Sequence, residues 1–309
     1  MPKIAVIGEG VIDRFITSNS HKDVIGGSGL NTAVALRRAG SDSVWFTRLS
    51  SDSNGRLLTA YAKSEGVLDS NAVQADEPAP LVKVHLSDSG QPRYEFELDG
   101  AADWQWRSAE LLPLKTDYDI VQIGSLSAVL EPGAGMLISM LADLKNSANP
   151  PLITYDPNAR PSAAADENHS EIMKARINEV VTKADLVKVS DEDLAWIFPN
   201  QKPAESARKW SELGPKLVVM TMGGDGAVAF QSGIEISRVP GVKIQVVDTV
   251  GAGDTFMAWL IHGIASLHKC KIPNEVVAIT NLLSTAANAA AITCSREGCK
   301  PPFANEVID

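Results

Sequence analysis

The sequence predicts an α/β protein with a mainly parallel central sheet, helices on both faces, and a small β-sheet set apart as a lid. Three observations carry this. Short unbroken apolar runs alternate with amphipathic segments along nearly the whole chain. Several runs end in glycine turns that lead into helix-like stretches, as strands of α/β sheets do at their carboxyl ends. One region, "LVKVHLSDSGQPRYEFEL" from Leu81 to Leu98, instead alternates with period two on either side of a turn.

In chain order, "KIAVIGEG" reads as a buried parallel strand and "VIDRFIT" as a strand of the small sheet. "LNTAVALRRAG" places Leu30, Val34 and Leu36 on a helix that stops at Gly40. The runs "SVWF", "YDIVQIG", "PLITYD", "ADLVKVS" and "KLVVMTMGG" continue the sheet, with helices at Ile138 to Leu144, Ile172 to Val181 and Glu205 to Leu213 between them. The Leu81 to Leu98 hairpin joins the small sheet; an antiparallel edge of the main sheet is the competing placement. Two long helices, "AGDTFMAWLIHGIASL" and "NEVVAITNLLSTAANAAAI", close the fold. Ala286 to Ala291, interrupted by Asn288, carries little bulk, so a neighbouring helix or a ligand can come close. With no internal repeat and no Pro/Ser linker, residues 1–309 form one domain, its lid built from about 9–24 and 73–103.

The 309 residues suffice for a large core, and 44% hydrophobic with 21% charged residues is ordinary globular composition. A net charge of −10 and the lack of any basic run argue against nucleic acid or anionic membrane as partner. A polyanionic nucleotide would have to be met by local donors, which glycine-lined helix ends supply. The amino-terminal apolar run is too short for a signal peptide, and no stretch reads as the roughly 20 apolar residues of a membrane span. Three cysteines fit a reducing compartment. The expectation is a cytoplasmic protein.

Four glycine turns fall where ligands of α/β sheets bind. "GGSGLN" permits backbone contact with a polar ligand beside Asn31, or is simply a helix start. "DPNAR" aims Asn158 and Arg160 from a strand end, or is an Asx turn with a solvated Arg. "TMGGDGA" suits a phosphate against backbone N–H groups, or a hairpin turn. In "DTVGAGDTF", Gly251, Ala252 and Gly253 leave amides bare at a helix start, an anion hole in which Asp254 would be a general base. The competing reading makes Asp254 a favourable acid in a first helical turn. No Walker A loop, HExxH or G-x-S-x-G motif is present, and the spacing of His262, His268 and Cys270 matches no usual zinc site.

Together "GGSGLN", "DPNAR", "VKVSDEDL", "TMGGDGA", "DTVGAGDTF" and "CSREGCKPP" resemble the ribokinase-like sugar kinases, also called the phosphofructokinase B family, over nearly the whole chain and most of all the bacterial fructokinases. The resemblance implies a ribokinase-like fold and the following roles. Asp254 would be the catalytic base, with Gly251, Ala252 and Gly253 as the anion hole. Asp13, Gly27, Asn31 and Arg160 would bind sugar, Arg160 also reaching the phosphates. Ser190, Thr221, Gly223, Gly226, Gly253 and Asn288 would contact the nucleotide. Asp248 and the Val250 carbonyl would hold a monovalent cation, and Asp193 would arrange magnesium through water.

The departures from the family pattern are Ser190 and Asp193 in place of the usual Asn and Glu, Ser28 in place of the ribokinase Lys, and Pro302 in place of a cation-site serine. By the same resemblance, the chain would use ATP and Mg²⁺, with K⁺ as a further candidate, to phosphorylate a keto sugar, D-fructose to fructose 6-phosphate. It would act as a homodimer through its lids, with Tyr94, Phe96 or Trp104 setting specificity. The alternatives are a 2-keto-3-deoxygluconate kinase and, from another class, a non-catalytic sugar or nucleotide sensor.

Overall fold

The computed structural model describes residues 1–16, 20–86 and 92–307. In order, the first part runs β1 (Lys3–Ile7), β2 (Val11–Ile16), β3 (His21–Gly26), α1 (Ser28–Arg38), β4 (Asp42–Trp45), β5 (Arg48–Ser50), α2 (Ser53–Ser64), β6 (Val73–Ala75), β7 (Leu81–Leu86) and β8 (Pro92–Glu97). The middle holds β9 (Ile120–Gly124), α3 (Gly133–Lys145), β10 (Leu152–Asp156), α4 (Glu167–Val181), β11 (Leu186–Ser190), α5 (Asp191–Ile197) and α6 (Pro203–Leu213). It ends with β12 (Leu217–Thr221), β13 (Ala227–Gln231), β14 (Ile234–Val239), α7 (Ala252–Leu267) and α8 (Val276–Cys294).

Eight strands form the main sheet in the order β14-β13-β12-β11-β10-β9-β1-β4. Every pair from β12 to β4 is parallel, and at one edge β13 runs antiparallel to both its neighbours, β12 and β14. Its inner strands are mostly apolar because both faces are covered. Alternate residues serve opposite layers: Ala5, Ile7, Val121 and Ile123 face a core shared with α3, α4 and α6, whereas Ile4, Val6 and Ile120 face α1, α7 and α8. "TMGGDGA" is indeed the turn of a hairpin, joining β12 to β13, with the Met222 N–H donating to the Gly226 carbonyl at 2.8 Å.

The hairpin of β7 and β8 belongs to a separate four-stranded sheet, β3-β2-β7-β8, and not to an edge of the main one. Its turn, Ser87 to Gly90, lies outside the described residues. β2 pairs antiparallel with β3 and parallel with β7, so the strand after β1 and the later hairpin meet despite the chain between them.

Helix α8, with 19 residues, is long and apolar enough to cross a membrane by length and composition only, a test that core helices also meet. In the fold α8 packs on α7 and the main sheet, burying Ile279, Leu282, Leu283, Ala286 and Ala289.

Candidate active site

The face of the main sheet under α7 changes character along the strands. Ile120 and Leu152 form an apolar row; the next row holds Gln122, Thr154, Leu186 and Leu217; beyond it come Asp156, Lys188 and Val219, and β11 and β12 end at Ser190 and Thr221. β10 and β11 pair Thr154 with Leu186, so one step further on that face sets Asp156 beside Lys188. The Lys188 Nζ lies 2.8 Å from Asp156 Oδ2, and both side chains are almost wholly buried.

Burial opposes the Lys188 charge, but Asp156, Asp193 and Asp254 outweigh it and raise its pKa. Burial pushes the Asp156 carboxyl up to about 6 against the pull of Lys188. At neutral pH the pair is therefore ionic. An ion pair this deep contributes little net stability, because desolvation offsets much of its attraction.

Above it begins α7. Its cap, Gly251, has φ 76°, a left-handed conformation L side chains rarely adopt, and a Cβ there would fall 2.1 Å from the Cys299 Sγ. No side chain caps this end. The first-turn amides of Gly253 and Asp254 lack intrahelical acceptors and, with the helix dipole, favour negative charge. The Lys188 ammonium adds to that: it lies 3.0 Å from where a Cβ on Gly253 would stand.

Asp254, 7% exposed, is held from the other side by the start of α1. Ser28 Oγ donates to its Oδ1 at 2.7 Å and Asn31 Nδ2 to its Oδ2 at 2.9 Å. Those donors are available because α1 starts hard against β1: a Cβ on Gly29 would sit 2.4 Å from the Gly8 backbone. Asp254 is thus both a first-turn acid and a carboxylate fixed between two helix starts, so neither sequence reading excludes the other.

Two cavities meet at this point. One, of about 480 Å³, lies between the small sheet and the carboxyl ends of the main strands and brings together Asp13, Gly27, Asn31, Arg160, Gly251 and Asp254. The other, of about 260 Å³, is lined by Thr221, Gly223, Gly226, Ala252 and the small side chains of α8, among them Ala287, Ala290 and Ala291. Thr249 and Gly253 line both. Asp13 is half-buried, and burial pushes its carboxyl up to about 6 while Arg160 pulls it down. Arg160 is exposed at the rim, its Nη1 on its own neighbour's carbonyl, Ala159 O, at 3.1 Å.

Other expected residues sit elsewhere. Ser190 and Asp193 line neither cavity; they form the capping box of α5, and the Asp193 oxygens accept from the Ala159 and Ser190 amides at 2.9 and 3.2 Å. Asp248 accepts from the Val250 and Gly298 amides at 3.0 and 2.9 Å and lines neither cavity, whereas Val250, half exposed, lines the larger one. Asn288 lines a different groove from Ala287, Ala290 and Ala291, together with Trp259 and His262. Trp104 is a core residue, its Nε1 on the Leu98 carbonyl, and lines neither of these two cavities, whereas Phe96 lines the larger one. The Tyr94 side chain lies outside the described ones.

The sequence reading had missed Lys188, Asp156, Ser28 as the partner of Asp254, and Glu9, which is buried at the floor of the larger cavity. For Lys188 a signal existed: a lone cation in the apolar run "LVKVS" of a strand buried on both faces.

The architecture has close counterparts. A fructokinase from Xylella fastidiosa with bound ATP superposes with a TM-score of 0.86 over 99% of this chain and 96% of its own, at 22% identity. A double-mutant fructokinase from Vibrio cholerae O395, bound to fructose, ADP and potassium ion, gives 0.81 over 97% and 94%, at 20% identity. At such identities the likeness defines the fold, which is ribokinase-like.

In sequence, the pfkB family carbohydrate kinase pattern matches residues 1–305. The fructokinase of Rhizobium leguminosarum bv. trifolii is 33% identical over 264 residues, covering 84% of this chain and 78% of its own. The chain belongs to the pfkB family of carbohydrate kinases.

Proposed function

We propose that the protein transfers the γ-phosphoryl group of ATP to the primary hydroxyl of a keto sugar, D-fructose being the acceptor we favour, to give fructose 6-phosphate. One observation carries the reading: Asp254 stands in the acceptor cavity one residue from Gly253, where that cavity joins the glycine-lined cleft. The sugar would lie among Asp13, Asn31 and Arg160 beneath the small sheet, which acts as a lid. ATP would lie along Thr221, Gly223 and Gly226. The fructokinase relatives support the choice of acceptor.

Ser28 and Asn31 fix the Asp254 carboxylate so that it orients the attacking hydroxyl and takes its proton. The amides of Gly253 and Asp254, with Lys188 beneath, oppose the charge on the transferring group, and positioning supplies most of the remainder.

Among the described residues no three His, Cys, Asp or Glu side chains converge as a metal cage. A magnesium ion would come in with the nucleotide phosphates and keep much of its water, and Asp193 is the carboxylate we assign to it through water. Magnesium would neutralise phosphate charge. Asp248 and the Val250 carbonyl are the residues we assign to a potassium ion beside the anion hole.

The test is ADP release. Asp254→Asn should bind ATP and sugar while kcat falls about 10²- to 10⁴-fold. Near-normal turnover in that variant removes the role assigned to Asp254, and absence of ADP release by the unaltered protein with every keto sugar leaves a sensor instead of a kinase.

A further inference from the structure

Glu9 follows β1 and is 4% exposed, yet it lies against the acceptor cavity. Half of it has a structural task. Gly27 caps α1 without a side chain, so Glu9 stands in: its Oε1 accepts the Ser28 N–H and its carbonyl the Leu30 N–H, both at 3.3 Å. The other oxygen, Oε2, is buried and makes no hydrogen bond. The Ser125 hydroxyl is near enough to favour the ionised carboxyl but is turned to the Asn158 carbonyl at 3.4 Å. A buried carboxylate oxygen left dry is an expensive arrangement unless a ligand completes it.

The charges around it narrow the ligand. Glu9, Asp13 and Asp254 all line the cavity, against Arg160 as its one cation among the described residues, and Lys188 lies outside the lining and is already paired with Asp156. A ligand rich in hydroxyls can donate to these carboxylates. An acid sugar would set its own carboxylate among three others.

We propose that Glu9 is a specificity-determining residue: its Oε2 accepts a hydroxyl hydrogen from a neutral polyhydroxy acceptor, and its charge, with that of Asp13, turns away acid sugars. This rests on the kinase reading of the same cavity. It separates fructose from 2-keto-3-deoxygluconate, two acceptors the sequence left side by side.

The experiment is steady-state kinetics of the full chain with both acceptors. The unaltered protein should prefer fructose. Glu9→Gln keeps the shape and an oxygen for the Ser28 amide; it should raise the KM for fructose about 10-fold or more, leave that for ATP in place, and lower the fructose-to-acid ratio of kcat/KM by about 10-fold or more. Glu9→Asp keeps the charge but withdraws the oxygen, so it should weaken fructose while still rejecting the acid. If Glu9 were only a cap, both acceptors would suffer in proportion, and an unchanged ratio in Glu9→Gln overturns the inference. So does a preference of the unaltered protein for the acid, although the kinase reading then stands. Turnover of neither acceptor removes the kinase reading itself.

Discussion

At the scale of single residues, Lys188 separates a structural role from a chemical one. Removing it strands Asp156, so Lys188→Met should destabilise the fold by about 3–5 kcal/mol. Lys188→Met with Asp156→Leu replaces the whole pair by apolar groups and should recover most of that loss in a denaturant titration. Turnover should not recover, because the cation beneath the Gly253 amide remains absent. Recovery of kcat in the double variant would show that Lys188 acts only as packing. Asp13 offers a second reading by pH. Its carboxyl titrates near 6 without ligand, and sugar hydroxyls favour the ionised form. The KM for sugar should therefore fall as pH rises through about 6, and Asp13→Asn should abolish that step.

At the scale of elements, the chemistry depends on two helix starts meeting. Gly29 is where α1 presses on the end of β1, with no room for a methyl group. Ala is the better helix former by about 1 kcal/mol, yet overpacking here should cost about 1–3 kcal/mol. Gly29→Ala should lower both the melting temperature and kcat, since it displaces Ser28 and Asn31 from Asp254 although Gly29 lines neither cavity. A variant with lower stability and full activity would mean that α1 can move without disturbing the base.

Much at this scale was legible. "AGDTFMAWLIHGIASL" is α7 residue for residue, because glycine turns mark its start without ambiguity. The hairpin's period-two pattern placed β7 and β8, but not the parallel union of β2 with β7, since pairing across distant segments leaves no local pattern. Asn288, expected at the nucleotide, lines another groove than Ala287, because a helix turns 100° per residue. The run of alanines serves both proposed ends, with Ala286 and Ala289 in the core and Ala287 and Ala290 at the cleft.

At the scale of the whole molecule, the site sets a conflict between stability and function that pH should expose. Burial raises the pKa values of Glu9, Asp13, Asp103 and Asp156. Each binds its proton more tightly folded than unfolded, so the native state holds more protons and stability declines as pH rises, for Asp13 and Asp156 between about pH 4 and 6. Acids with lowered values, such as Asp23 and Glu77, beside Arg14 and Arg48, lose their contribution only below about pH 4. Burial lowers the pKa of His262, which works the other way, as a single group. The ligand-free protein should thus melt several degrees lower at pH 7.5 than at pH 5, and Asp13→Asn should flatten part of that slope. Ligand should oppose the trend: a sugar at 100 times its Kd adds about 2.7 kcal/mol, and more of that is realised where the acids are ionised. Calorimetry with and without fructose at both pH values measures the difference. A melting temperature that climbs from pH 5 to 7.5 without ligand would show that these carboxyls are not the buried, proton-retaining groups the geometry makes them.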